Sequence, residues 1–197
     1  MRAITFMACA AALLAGAQTV SAQVPRLALE VRGTAAVPTG QWNDEDLLDT
    51  GFGGGATVTA MFSERQGVYA GWERIRFPVN GDEAEDEDAA GTDSGFRAGL
   101  ASFLPISALP NVAIFAELGL VYNTFELSSS DGGTPVELES DASLGYETGV
   151  GLAVRAAPRL DVTPIVRYRQ YKPEFDGFED SETVKYFSWG VGLRLRI

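Results

Sequence analysis

The stretch Val112-Ala113-Ile114-Phe115-Ala116-Glu117-Leu118-Gly119-Leu120-Val121-Tyr122-Asn123 decides how the rest of the chain is read. Val112, Ile114, Ala116, Leu118, Leu120 and Tyr122 share one parity, and Ala113, Phe115, Glu117, Gly119, Val121 and Asn123 share the other. Successive side chains of a strand point to opposite faces, so a sustained period of two marks a strand rather than a helix. The two faces differ in kind. One is wholly apolar apart from a tyrosine hydroxyl, while the other holds a carboxylate, a glycine and an amide.

Working outward, the same period recurs in stretches of roughly ten residues, the length of a membrane-crossing strand. Leu27, Leu29 and Val31 alternate with Ala28, Glu30 and Arg32 in a first strand; Phe52, Ala56, Val58, Ala60 and Phe62 alternate with Gly53, Gly55, Thr57 and Thr59 in a second. A third is expected over about 67 to 77 and a fourth over about 95 to 103. After the strand quoted above, Leu144, Tyr146, Val150, Leu152 and Val154 oppose Gly145, Glu147, Gly149, Gly151 and Arg155. Leu160, Val162, Val166 and Tyr168 oppose Asp161, Thr163, Arg167 and Arg169, with Pro164 as the least strand-like residue. Phe187, Trp189, Val191, Leu193, Leu195 and Ile197 close the series against Ser188, Gly190, Gly192, Arg194 and Arg196. The expectation is an all-β, eight-stranded antiparallel up-and-down barrel.

The connections fall into two kinds. The odd ones, at about 39 to 50, 78 to 95, 125 to 142 and 172 to 183, are long and hold 21 of the 27 carboxylate residues, with Lys172 as their only basic residue. The even ones, near Ser63 to Gln66, Ser102 to Asn111 and Ala156 to Arg159, are shorter and nearly free of acid. Alternate connections of an up-and-down barrel lie at opposite ends, so one rim is acidic and long-looped. An acidic rim argues against nucleic acid as a partner at that end.

Period alone does not separate a membrane barrel from a lipocalin-like barrel in water, whose faces are exchanged. The content of the faces does. Glu30, Arg32, Glu73, Arg97, Glu117, Glu147, Arg155, Arg167, Arg169, Arg194 and Arg196 share the less apolar face with many glycines. Glycine weakens a strand, but inside a narrow barrel it leaves room for long charged side chains to pair across the lumen. The other face carries Trp72, Phe96, Tyr122, Tyr146, Tyr168, Phe187 and Trp189, as expected of aromatic girdles at lipid boundaries. Arg74 and Arg76 fall on this face, late enough in their strand to reach lipid head groups and outer-leaflet phosphates. A register shifted by one residue would instead bring both inside and turn Glu73 out.

Val37-Pro38-Thr39-Gly40, Gly51-Phe52-Gly53-Gly54-Gly55, Tyr69-Ala70-Gly71-Trp72-Glu73-Arg74 and the final strand together give the chain its resemblance to a family. It resembles the small outer-membrane β-barrel proteins that include OmpA-type transmembrane domains, OmpX-like proteins and opacity-type "porin family" surface proteins. The resemblance covers residues 23 to 197 and implies an integral protein of a Gram-negative-type outer membrane, with periplasmic termini and extracellular long loops. The implied partners are outer-membrane lipid and lipopolysaccharide. Gly192-Leu193-Arg194-Leu195-Arg196-Ile197 resembles the terminal strand that outer-membrane assembly machinery reads, with isoleucine where an aromatic residue is usual.

The N-terminus reads as an export signal. Arg2 precedes an apolar run from Ala3 to Ala17, and Val20-Ser21-Ala22 suits a signal peptidase, so 1 to 22 is expected to be cleaved and 23 to 197 to form one barrel domain. The run falls short of the ~20 residues of a spanning helix. Cys9 lies within it, behind Phe6 where a lipobox would place leucine, and no cysteine follows; stability must come without disulfides.

Catalytic chemistry finds little support. The chain has no histidine, which excludes the histidine general base on which the familiar outer-membrane barrel deacylases, palmitoyltransferases, phospholipases and omptin proteases rely. Glu73, Glu117 and Glu147 lie among arginines and read as a charge-paired plug rather than a carboxylate dyad. Asp82-Glu83-Ala84-Glu85-Asp86-Glu87-Asp88 lacks calcium-loop spacing and reads as a solvated loop; divalent bridging to lipopolysaccharide is the minor alternative. No cofactor, metal or catalytic residue is expected. The function expected is a structural or surface-interaction role in envelope integrity or adhesion through an extracellular partner. A porin-like channel of low conductance and a soluble periplasmic lipocalin-like binder are the alternatives.

Overall fold

A computed structural model describes residues 26–39, 48–79, 89–129, 136–175 and 183–197. Residues 1 to 22, read above as an export signal, and the acidic run Asp82 to Asp88 lie outside the described residues. The described residues form nine strands: β1 (Arg26–Pro38), β2 (Gly51–Met61), β3 (Gln66–Pro78), β4 (Ala90–Ile106), β5 (Leu109–Ser129), β6 (Val136–Glu139), β7 (Ser143–Ala157), β8 (Leu160–Tyr171) and β9 (Val184–Arg196). All but β6 form a closed antiparallel barrel in which each strand pairs with its neighbours in sequence, and β1 pairs with β9 to seal the sheet. Closure leaves no unpaired edge among these strands, so the backbone groups of the wall satisfy one another within it.

Two elements differ from the sequence expectation. β4 begins at Ala90 and β5 runs on to Ser129, so both extend into what reads as long connection, and β6 adds a short hairpin strand beside the end of β5. Pro164 lies within β8, and the β7 to β8 ladder omits it, passing from Gly151 opposite Ile165 to Val154 opposite Val162. Proline has no N–H to donate there.

The wall has the polarity that alternation assigns. Leu29, Val58, Leu100, Leu118, Leu120, Val150 and Leu193 are exposed on the outside, and Glu30, Arg97, Glu117, Glu147 and Arg167 are buried inside. A water-soluble lipocalin-like barrel needs the opposite arrangement, so that alternative falls. In β3 the structure turns Glu73 inward and Arg74 and Arg76 outward, which selects the first of the two registers. Gly99 and Gly119 face each other across β4 and β5. A Cβ on Gly99 would lie 2.2 Å from the Leu118 carbonyl oxygen and 2.5 Å from Gly119 Cα, so here glycine permits the close approach of two backbones.

Candidate functional site: the sealed lumen

The interior is built in levels by the inward parity of every strand. At mid-height β3, β7 and β8 contribute Glu73, Glu147, Arg167 and Arg169, and β1, β4 and β5 contribute Arg32, Arg97 and Glu117. Glu73 is one hub. Arg167 reaches it with both terminal nitrogens, at 2.5 and 3.0 Å, Arg169 Nη2 with one at 2.7 Å, and Thr34 donates its hydroxyl at 2.9 Å. Glu147 is the other, accepting from Arg97 Nε at 2.6 Å, Arg169 Nη2 at 3.0 Å and the Tyr69 hydroxyl at 2.9 Å. Arg97 bridges on to Glu117 at 2.5 Å, and Arg32 pairs with Glu30 while lying 3.8 Å from Glu117.

Both hub carboxylates therefore hold several charge-assisted bonds each. Such bonds offset the large cost of taking charge out of water, which leaves the net contribution to stability small but the cost of breaking one partner high. The level joins strands on opposite sides of the wall, because Glu73 of β3 binds Arg167 of β8 directly across the lumen.

Toward the long connections the polar level ends in a trio that the sequence reading misses. Tyr186 donates to Asp93 Oδ2 at 2.7 Å, and Asn123 donates to Asp93 Oδ1. Asp93 reads as part of an external acidic connection; it is in fact buried in the barrel, because β4 starts earlier than the apolar pattern indicates. Around the trio and toward the long connections lies an apolar cluster of Leu48, Ile75, Phe77, Val121, Phe125, Tyr171 and Val184, which Tyr186 joins to the trio. Phe77 and Tyr186 pack with ring centroids 5.5 Å apart. Paired charge and packed side chains thus fill the described lumen at two successive levels.

At the opposite end the barrel opens into a recess of about 490 Å³ at the mouth beside the short turns. Arg155 and Arg196, expected within the lumen charge network, line this mouth instead. Arg155 is exposed, next to a register shift between Arg155 and Ala157, and Arg196 is half-buried and pairs with Asp161 at 3.2 Å. Arg194 is inside but joins no ion pair among the described residues; its guanidinium lies 4.4 Å over the Phe103 ring.

On the outside, Trp72, Phe96 and Tyr122 stand side by side in register, as do Tyr168 and Phe187. Tyr146 and Tyr168 both donate to Gln170 Oε1 at 3.0 Å. With Trp189 and Phe52 they form a belt in the half of the wall nearer the long connections, while Phe62 is an exposed aromatic beside the first short turn. Strand alternation assigns a residue to a face but does not align heights between strands, so the sequence does not show the belt.

A family model described as outer membrane protein beta-barrel domain matches residues 7–197. No curated protein matches the chain. Among solved structures, Neisserial surface protein A is similar with a TM-score of 0.62 at 13% identity, covering 87% of this chain and 97% of that one. OprG of Pseudomonas aeruginosa is similar with a TM-score of 0.60 at 12% identity, covering 91% and 99%. Ail, the attachment invasion locus protein of Yersinia pestis, solved with the heparin analogue sucrose octasulfate, is similar with a TM-score of 0.51 at 16% identity, covering 87% and 97%. At these identities the likeness extends to the fold.

Proposed function

The chain belongs to the outer membrane protein beta-barrel domain family and resides in the outer membrane, and from that premise we propose that it is a sealed, non-enzymatic barrel working through its outer surfaces. The observation that carries this reading is the filling of the described lumen at two levels, by the Glu73 and Glu147 network and by the apolar cluster toward the long connections. A channel needs a continuous polar path, and an eight-stranded barrel leaves an interior that side chains fill. In this reading 1 to 22 is removed on export, the short turns and both termini face the periplasm, and the long acidic connections stand outside the cell. The outward aromatic belt then marks the outer lipid boundary, and Arg74 and Arg76, beside it on the exposed face, meet the head-group phosphates of lipopolysaccharide. The terminal strand engages the assembly machinery.

Purified protein in a planar bilayer is expected to show no reproducible unitary current at neutral pH. A steady, ion-selective conductance in the unmodified protein would remove the sealed reading and favour a porin-like one.

The outer partner follows from charge. Ail was solved with a sulfated ligand, whereas the stretches read as long connections hold, besides the buried Asp93, the other 20 of their 21 carboxylate residues and one lysine. A polyanion is repelled by such a rim, and a cationic surface is attracted. Protein in nanodiscs is expected to pass through immobilised heparin at low salt and to be retained by polylysine, with release by 0.5 M salt. Retention on heparin alone would reverse the sign assigned to the partner.

A further inference from the structure

The mouth recess beside the short turns has features that a plain barrel end does not need. Arg26, Arg155, Arg159, Arg194 and Arg196 all line it, against Glu64 and Asp161. Arg194 is the telling residue. It is 7% exposed, and its cross-strand neighbours are Glu30 on β1 and Asp161 on β8, yet it pairs with neither. Glu30 is taken by Arg32, and Asp161 by Arg196. The Nε of Arg194 is buried with no hydrogen-bond partner.

What holds Arg194 instead is a stack. Its guanidinium lies over Phe103, which is itself stacked on Phe115 with centroids 5.6 Å apart and an interplanar angle of 24°. A guanidinium held over a ring by a cation–π contact keeps its N–H groups for a further partner, and paired N–H groups suit an oxyanion. Glu30, Asp161 and Glu117 act on this cation from a distance, but each is in contact with another arginine, so Arg194 is an enclosed cation with no carboxylate of the described residues in hydrogen-bonding contact. Met61, Phe103, Val112 and Ala153 give the same recess apolar walls, and its volume falls in the range of small-molecule sites.

We propose that this recess is an anion-binding site for a phosphate bearing a small organic group, with the edge of Arg194 as the inner ligand and the rim arginines 155 and 159 as the outer ones. The phosphate comes from a free periplasmic phosphate ester or from a phospholipid head group of the adjoining leaflet.

The test uses the whole mature barrel in phosphatidylcholine nanodiscs, titrated with inorganic phosphate against chloride at constant ionic strength. The readouts are the Arg194 Nε–H resonance and the temperature of unfolding. A saturable, phosphate-dependent movement of the Arg194 resonance and rise in unfolding temperature, both unchanged in Arg65→Gln in the first short turn, with the rise in unfolding temperature needing at least tenfold more phosphate in Arg194→Met, is the expected result. Arg194→Met keeps an apolar chain against Phe103. Should it fail to fold, the exposed pair Arg155→Gln and Arg159→Gln is expected to weaken binding severalfold. Nanodiscs containing phosphatidylglycerol and no added phosphate separate the sources, since only a head-group ligand moves the Arg194 resonance there. Equal responses to phosphate and chloride, or responses that survive both sets of substitutions, together with no shift in phosphatidylglycerol, would overturn the site.

Discussion

Replacing Glu73 with leucine is expected to cost about 3–5 kcal/mol of stability, because it leaves Arg167 and Arg169 buried beside an apolar side chain. For a domain of this size that lowers the melting point by roughly 10 °C. The temperature at which the folded gel band converts to the unfolded one reads the change directly. Glu73→Gln keeps an oxygen for Thr34 and one guanidinium and is expected to lose less, as are Glu117→Gln and Glu147→Gln. Glu64→Gln, in an exposed turn, should have no measurable effect. Pairing Glu73→Leu with Arg167→Leu should recover part of the loss, since removing both charges also removes the desolvation cost. A melting point within 1 °C of the parent in Glu73→Leu would mean that water already solvates these arginines, and the sealed lumen would have to be given up.

The strands were legible because each carries its own face assignment. Leu118 out and Glu117 in needs no knowledge of any other strand, and the same holds for Glu73 against Arg74. Height within one strand could be read, as for Arg74 and Arg76, but the alignment of heights between strands was not legible. Ile75, Phe77, Val121 and Phe125 share the inward parity of the charged residues, and only the register between strands stacks them into a cap above Glu73 and Glu147. The same gap explains Arg155 and Arg194, which read alike but lie at the open rim and in the enclosed mouth. Asp93 was lost for a different reason. Its chain neighbours are Thr92 and Ser94, so the apolar half of the alternation is missing, and the acidic run upstream gives the whole stretch the look of a loop. Val136–Glu139 is too short for any period to show.

The identity of the surrounding medium is tested most sharply at Leu118. It points outward from β5, is 63% exposed, and is flanked in register by Leu100 on β4 and Thr148 on β7. Tyr122 in the aromatic belt lies four residues above it on the same face. A tilted strand crosses the hydrocarbon in about ten residues, which places Leu118 near the middle. Leu118→Arg is therefore expected to cost about 2–4 kcal/mol in a bilayer, the range for arginine at the midplane of such barrels. The same change at Leu109, beside the short turn, should cost about 0–1 kcal/mol. The gradient is the diagnostic. On a barrel standing in water, an exposed leucine replaced by arginine gains solubility at either height and costs nothing at both. Folding titrations into lipid vesicles, run side by side for the two variants, measure the difference, and equal stabilities would contradict a lipid-facing wall at β5.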